Sequence, residues 1–551
     1  MTMSARQILA ISVCLLQCCT ASAGRLRLTI VDADSRKPIP ARVYLTDTTG
    51  KPWFVSSESV VGQAMPYTEQ WVPIEGSLEV HTTVTAHACV CELPNGQYTL
   101  HVERGKEYIP ATRTLHIEDG INEHLLPLQR WSNVAESGWY SGETHVHRRL
   151  PELPNVMQAE ELNVTFPVTF WTIRSDRLPD LQPSPLRRQG PSPFGPREDR
   201  GAEPIPIDRD YVIFPRNTEY EIFSIGEQRH VLGAMFLLNH RQPFQKFAPP
   251  VGPIAEDAHR QGALIDLDKH SWPWSLMLIP VAGVDLFELS NNSVWRTQFG
   301  FRNAPANPPT WVTLEESAPG TLTEWGWLNY GFEMYYALLN CGFRLSPSAG
   351  TASGVHPVPL GHSRVYVQTG PPFDRERWLD GLKRGRSFVT TGPMLQVTVN
   401  REHPGQEFHV DGPGPAQFDV EILSTSLRPA DRVEVLVNGR VVETLKGAAT
   451  QTATGTWRQE YQLPVQLTET SWLAVRSVVK QPDGRRRFAH TAPWHITFRD
   501  APIQPQRKQV EYLVQQMQAE LERSGSLLPP TAVAEYKQAL QVYRDLLRRA
   551  R

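Results

Sequence analysis

The sequence predicts a multidomain chain of mixed class, α/β plus β, in which β-sandwich modules flank a central α/β domain and a helical hairpin closes the C-terminus. Three observations predict it. The chain has 551 residues, too many for one hydrophobic core. Its 47 prolines and 37 glycines imply many turns and loops. Period-two alternation at both flanks gives way, in the middle, to short apolar runs separated by helical stretches.

The N-terminal stretch "MTMSARQILAISVCLLQCCTASAG" has an apolar run from Ile8 to Leu16 and ends in Ala21-Ser22-Ala23. That is the pattern of a signal peptide over residues 1–23, cleaved after Ala23, and it implies export to periplasm or medium. An anchor through Cys18 or Cys19 is the alternative, although Leu-Leu-Gln before Cys18 matches it poorly. After cleavage only Cys89, Cys91 and Cys341 remain, so disulfides do not hold the fold. Cys89 and Cys91 point to one face of a strand and read as buried small apolar residues.

Residues 24–130 alternate as strands. Leu26, Leu28 and Ile30 form one face, and Asn95-Gly96 makes a turn between later runs. This part resembles the small sandwich of carboxypeptidase regulatory and transthyretin-like modules, and reads as an accessory domain. Over residues 131–394, "VTFPVTFWTI", "VLGAMFLLN", "GALIDLD" and "GVDLFELS" read as strands. "PIAEDAHRQ" and "TEWGWLNYGFEMYYALLNC" intervene as helices, which predicts a mostly parallel sheet. The Pro- and Arg-rich stretch from Leu181 to Pro206 reads as a surface insertion, a possible lid. Residues 395–500 return to strands with an Asn438-Gly439 hairpin turn, which predicts a second sandwich. Residues 501–551 space Val510, Leu513, Val514, Met517 and Leu521, then Val533, Leu540, Tyr543 and Leu547, on the faces of two helices.

The net charge of -3 gives no case for nucleic acid or an anionic membrane as partner. The apolar run at the N-terminus is too short for stable membrane insertion. The chemistry lies elsewhere, in "YSGETHVHRR". On a strand His145 and His147 face the same way, roughly 6.5–7 Å apart along it, so both imidazoles can meet one cation. Further strand-like runs carry Glu219, Glu221, His230, His270 and Glu288 at or near their ends, and His356 sits in a Gly/Ser-rich loop. Strand ends are where α/β sheets place reactive groups. Taken singly, each residue also fits a core histidine, a strand cap or an ion pair.

The ordered series "SGETHVHR", "NTEYE", "RHVLG", "LDKHSWPW", "FELSNN" and "SPSAGTASGVHPVPLGHSRVYV" resembles the CehA/McbA-type metallohydrolases of the polymerase-and-histidinol-phosphatase (PHP) superfamily, over about 131–395. The resemblance implies a distorted (β/α)7 barrel with metal at the C-terminal ends of its strands. It implies His145, His147, Asp176, Glu219, His230 and His270 as metal ligands, with His356 as a weaker match. The chain departs from the pattern at Arg177, where the superfamily has histidine. It departs again at Ala352 and Gly354, which replace Asp-x-His. The resemblance therefore implies one or two divalent ions (Zn, Mn or Fe) rather than three.

The expected activity is hydrolysis of an ester, amide, carbamate or phosphoester in a small molecule, by a hydroxide formed on the metal. Arg174 would share developing negative charge, and Asp268, expected on the same side as His270, would position or shuttle a proton. Trp272, Trp274 and "TEWGWLNYGFEMYY" suit an apolar or ring-bearing substrate, or a sugar. The alternative is a non-catalytic secreted binding protein built on a degenerate barrel. Oligomeric state is not legible.

Overall fold

The computed structural model describes residues 23–181, 197–297, 300–301, 303–412, 414–447 and 449–551. The proposed signal peptide, except Ala23, and most of the 181–206 insertion lie outside the described residues. The described chain is a strand-rich α/β protein with several sheets and seven α-helices. No described helix is long and apolar enough to cross a membrane.

In the N-terminal part, period-two burial builds two sheets. Leu26, Leu28 and Ile30 are buried on the strand Ala23–Asp32, which pairs with Gly120–Leu128 and Cys89–Pro94. The second sheet runs Ala64–Glu69, Glu79–Val84, Ala41–Asp47, Gly96–Glu103, Ala111–Ile117. Asn95 and Gly96 carry the chain from one sheet to the other rather than closing a hairpin, because the flanking strands pair with different partners. Cys89, Cys91 and Cys341 are free thiols.

The central part holds the parallel ladders. The strand Trp139–Val146 lies between Val164–Pro167 and Ser346–Ser353, parallel to both. Ser346–Ser353 is parallel to Leu286–Ser290, which is parallel to Leu264–Leu267. Gln228–Leu238 follows antiparallel, then Thr218–Ile225, which pairs in parallel with Phe170–Arg174. The ladder is interrupted between Pro167 and Phe170 and between Ile213 and Thr218, yet the register is kept: Val164 lies opposite Val212 and Phe170 opposite Thr218. Apolar side chains of these strands meet the helices Gly252–Gln261, Glu324–Asn340 and Arg375–Arg384 in one core. Thr323 starts the long helix by accepting from Gly326 N at 3.0 Å.

The C-terminal part is hydrogen-bonded into the central sheet. Ser387–Thr390 pairs with Arg364–Gln368 on one edge and Arg486–Thr491 on the other. A second layer, centred on Ala416–Ser426, packs across from it through Val397, Val420, Ile422, Val433 and Val475. Asn438 and Gly439 both have positive φ and turn the hairpin between Arg432–Val437 and Arg440–Leu445. The helices Arg507–Ser524 and Pro530–Arg548 pack on each other and on the central core, burying Val510, Leu513, Met517, Tyr536 and Tyr543.

Candidate metal centre

The parallel strands end on one side of the central sheet, and their ends carry the buried polar groups. His145 lies near the end of Trp139–Val146 and His147 just beyond it. The register shifts between Glu143 and Val146, and such a bulge re-aims side chains. Close approach of Ser346–Ser353 depends on Gly350, which pairs with His145; a Cβ there would overlap His145 and Glu288.

Two donor sets meet at His145. Its Nε2 is 3.1 Å from His147 Nε2, and that atom is 3.5 Å from Glu219 Oε2. Its Nδ1 is 3.1 Å from Glu288 Oε1 and 3.7 Å from Asp268 Oδ1. Both sets, His145/His147/Glu219 and His145/Asp268/Glu288, are compact enough to hold a metal ion, and all five side chains are buried. Glu219 Oε2 is buried without a hydrogen-bond partner, and Asp268 Oδ1 and Glu288 Oε1 are buried beside the His145 ring, a costly arrangement that a cation would relieve. Nitrogen and carboxylate donors together suit Zn, Mn or Fe.

The electrostatics follow from burial. Desolvation pushes His145 down to about 3, and burial with His145 and Arg197 nearby holds His147 well below the usual imidazole value. Both rings are therefore neutral and offer lone pairs. Burial, then Glu221 and Asp268, pushes Glu219 well above an ordinary carboxyl. Burial, then Asp268, does the same for Glu288, and burial raises Glu221 to about 8. Asp268 differs: burial pushes it up, but Lys269, at 2.6 Å, and His145 outweigh that and leave it below the usual range.

A cavity of about 580 Å³ opens on His145, His147, Glu219, Glu221, Asn292 and His356. Its walls are aromatic, with Trp171, Phe223, Trp272, Phe301 and Trp327 among them. His356 is buried, with Nε2 3.1 Å from Asn292 Nδ2 and Nδ1 without a partner. It enters from two residues beyond Gly354, whose φ of +101° and contact with the His147 backbone leave no place for a histidine side chain at 354. Ala352 lines the cavity.

The remaining expected residues lie elsewhere. His230 donates to Ser524 Oγ at 2.8 Å and faces Arg523 on the C-terminal hairpin, outside the cavity. Its strand neighbours Arg229 and Val231 line the cavity, so alternation turns His230 to the other face. Asp176 is half-exposed and bonds Arg174 at 2.7 Å, and Arg174 also holds Glu227, so both belong to a surface ion-pair group. His270 is buried behind the cavity wall, 5.2 Å from the Trp327 ring and 4.7 Å from Tyr330. Asp268 and His270 do not share a side, because the strand ends at Leu267 and alternation stops there.

Glu221 and Glu288 lie within NTEYE and FELSNN but are not among the expected ligands. Arg197, from the insertion, donates to Val168 O and His147 Nδ1 at 2.7 and 3.3 Å, and nothing local in its Pro-rich stretch marks it. Comparison with family models, curated proteins and solved structures returned no match.

Proposed function

We propose that the chain is an exported, metal-dependent hydrolase of the CehA/McbA type, acting on an ester, amide, carbamate or phosphoester of a small molecule. The observation that carries the reading is the convergence of His145, His147, Glu219, Asp268 and Glu288, with Glu219 Oε2 buried and unpartnered among them. The pairings support a PHP-type barrel. With 164–174 and 212–225 each taken as one kinked strand, the ladders run through seven strands and return to Trp139–Val146.

His145, His147 and Glu219 would hold one ion, with Glu288 and Asp268 orienting the His145 ring or holding a second. The chemistry such an ion supplies is Lewis acidity, acidifying water and polarising a carbonyl or phosphoryl oxygen. The chain's own groups do the rest. Glu221, protonated near neutrality, faces the cavity and can donate a proton to the leaving group. Asn292 Nδ2 and His356 Nδ1 can hold a substrate oxygen. Lys269 keeps Asp268 ionised beside His145.

One observation favours the alternative, a binding protein without metal. Arg197 must donate to His147 Nδ1, which leaves the His147 proton on Nε2; it can pass to His145 Nε2, and His145 Nδ1–H to Glu288. That chain satisfies both rings without an ion. A screen of chromogenic esters, amides and phosphoesters, with and without chelator, separates the readings. Metal-dependent turnover lost in His147→Ala supports the hydrolase; turnover that ignores the chelator contradicts it.

A further inference from the structure

The N-terminal sandwich reaches into the cavity. Glu69, Gln70, Trp71 and Val72, at and just past the end of the strand Ala64–Glu69, line it beside His356. Their module is locked in place. Tyr67 Oη donates to His356 O at 2.8 Å and accepts from Gly354 N at 3.3 Å. Buried Arg42 pairs with Glu160 across the module boundary, and Asn155 donates to Thr83 O at 3.1 Å. A strap so held is a fixed wall.

The rings around Trp71 define which face is free. Phe301 is stacked 5.1 Å away at 11°, and His356 lies 4.6 Å away at 32°. Phe301 and His356 are only 5.9 Å from each other, far less than the two contacts laid end to end. They therefore do not sandwich the indole between them. Trp295 meets its edge, 6.3 Å off at 85°. Among the described residues no further ring stacks on Trp71, and it remains 39% exposed although Trp295 and His356 are buried. Val72, Val355 and Phe301 add apolar surface to the same cavity wall. A bare indole face at the edge of an aromatic cavity is a stacking platform.

We propose that the N-terminal sandwich supplies the ring-binding wall of this cavity, with the uncovered face of Trp71 stacking a flat aromatic ring of the substrate. The proposal rests on the cavity being the substrate site of the hydrolase described above. It makes the sandwich a specificity element rather than a spacer.

The test uses the full chain and reads binding apart from turnover. Indole serves as flat probe and cyclohexanol as non-planar control, followed by ligand-observed NMR with metal omitted. Indole should bind the wild type more tightly than cyclohexanol. Trp71→Ala should weaken indole about tenfold and Trp71→Phe should restore most of it, with cyclohexanol changed less than twofold in either. Equal binding of the two probes, or indole binding unchanged in Trp71→Ala, overturns the proposal even if metal-dependent hydrolysis is found. Trp71-dependent indole binding without any metal-dependent turnover supports the platform and removes the hydrolase reading instead. Trp71→Phe, which keeps an aromatic ring on Phe301, guards against a loss caused by misfolding.

Discussion

At the scale of single residues, the site is a set of buried imidazoles and carboxyls whose titration is shifted by burial and by one another. Glu219 is held well above the carboxylate range by burial first and by Glu221 and Asp268 next, which favours its protonated form. An ion needs the ionised carboxylate, and it needs the His147 Nε2 proton gone. Ion uptake should therefore release about one proton or more, and affinity should fall as pH is lowered, because protonation of a raised carboxyl is favoured in that direction. Calorimetry in buffers of different ionisation enthalpy measures this; uptake without proton release contradicts the assignment. Gly350 gives a second test. Its missing side chain lets the strand Ser346–Ser353 lie against His145 and Glu288. Gly350→Ala should cost about 1–3 kcal/mol in denaturant melts and displace both groups, with loss of metal affinity. An unchanged melt and affinity would show that the strand has slack.

At the scale of elements, what was legible followed periodicity. Helices Glu324–Asn340 and Gly252–Gln261, and the strands carrying Glu219 and Glu288, fall where 3.6- and 2-residue patterns place them. The site was legible where a motif and a strand end coincide, as at His145 and His147. It was not legible where the residue's place depends on partner strands. His230 has a suitable type and a suitable neighbour sequence, but it alternates with the cavity-lining Arg229 and Val231 and so faces the hairpin. Asp176 follows a strand, but its turn faces solvent. Arg197 arrives from an irregular segment with no period to read. The C-terminal hairpin is more than a tail. Glu535 accepts from Val251 N and Gly252 N at the start of helix Gly252–Gln261, and Tyr543 donates to Leu276 O. Leu513 is fully buried in the shared core. Leu513→Ala should therefore destabilise the whole chain by about 2–5 kcal/mol in one cooperative transition. A separate low-temperature transition, or none, would mean the hairpin is independent.

At the scale of the whole molecule, the parts keep separate cores for the two sandwiches but are joined by hydrogen bonds and ion pairs across their boundaries. The second sandwich shares a ladder with the central sheet through Ser387–Thr390, so a boundary at residue 394 crosses continuous structure. The N-terminal module contributes to the cavity itself. Sequence showed the modules by composition and alternation, but not their union, since inter-module pairs such as Arg42 with Glu160 leave no local pattern. The central claim is that imidazoles and carboxylates from distant strands form one cation site. The most direct measurement is titration of purified, metal-stripped chain with Zn or Mn ions, wild type against a His145→Ala/His147→Ala double variant. One or two tightly bound ions are expected in the wild type, and their loss in the variant. Equal uptake by both proteins, or none by either, would contradict it.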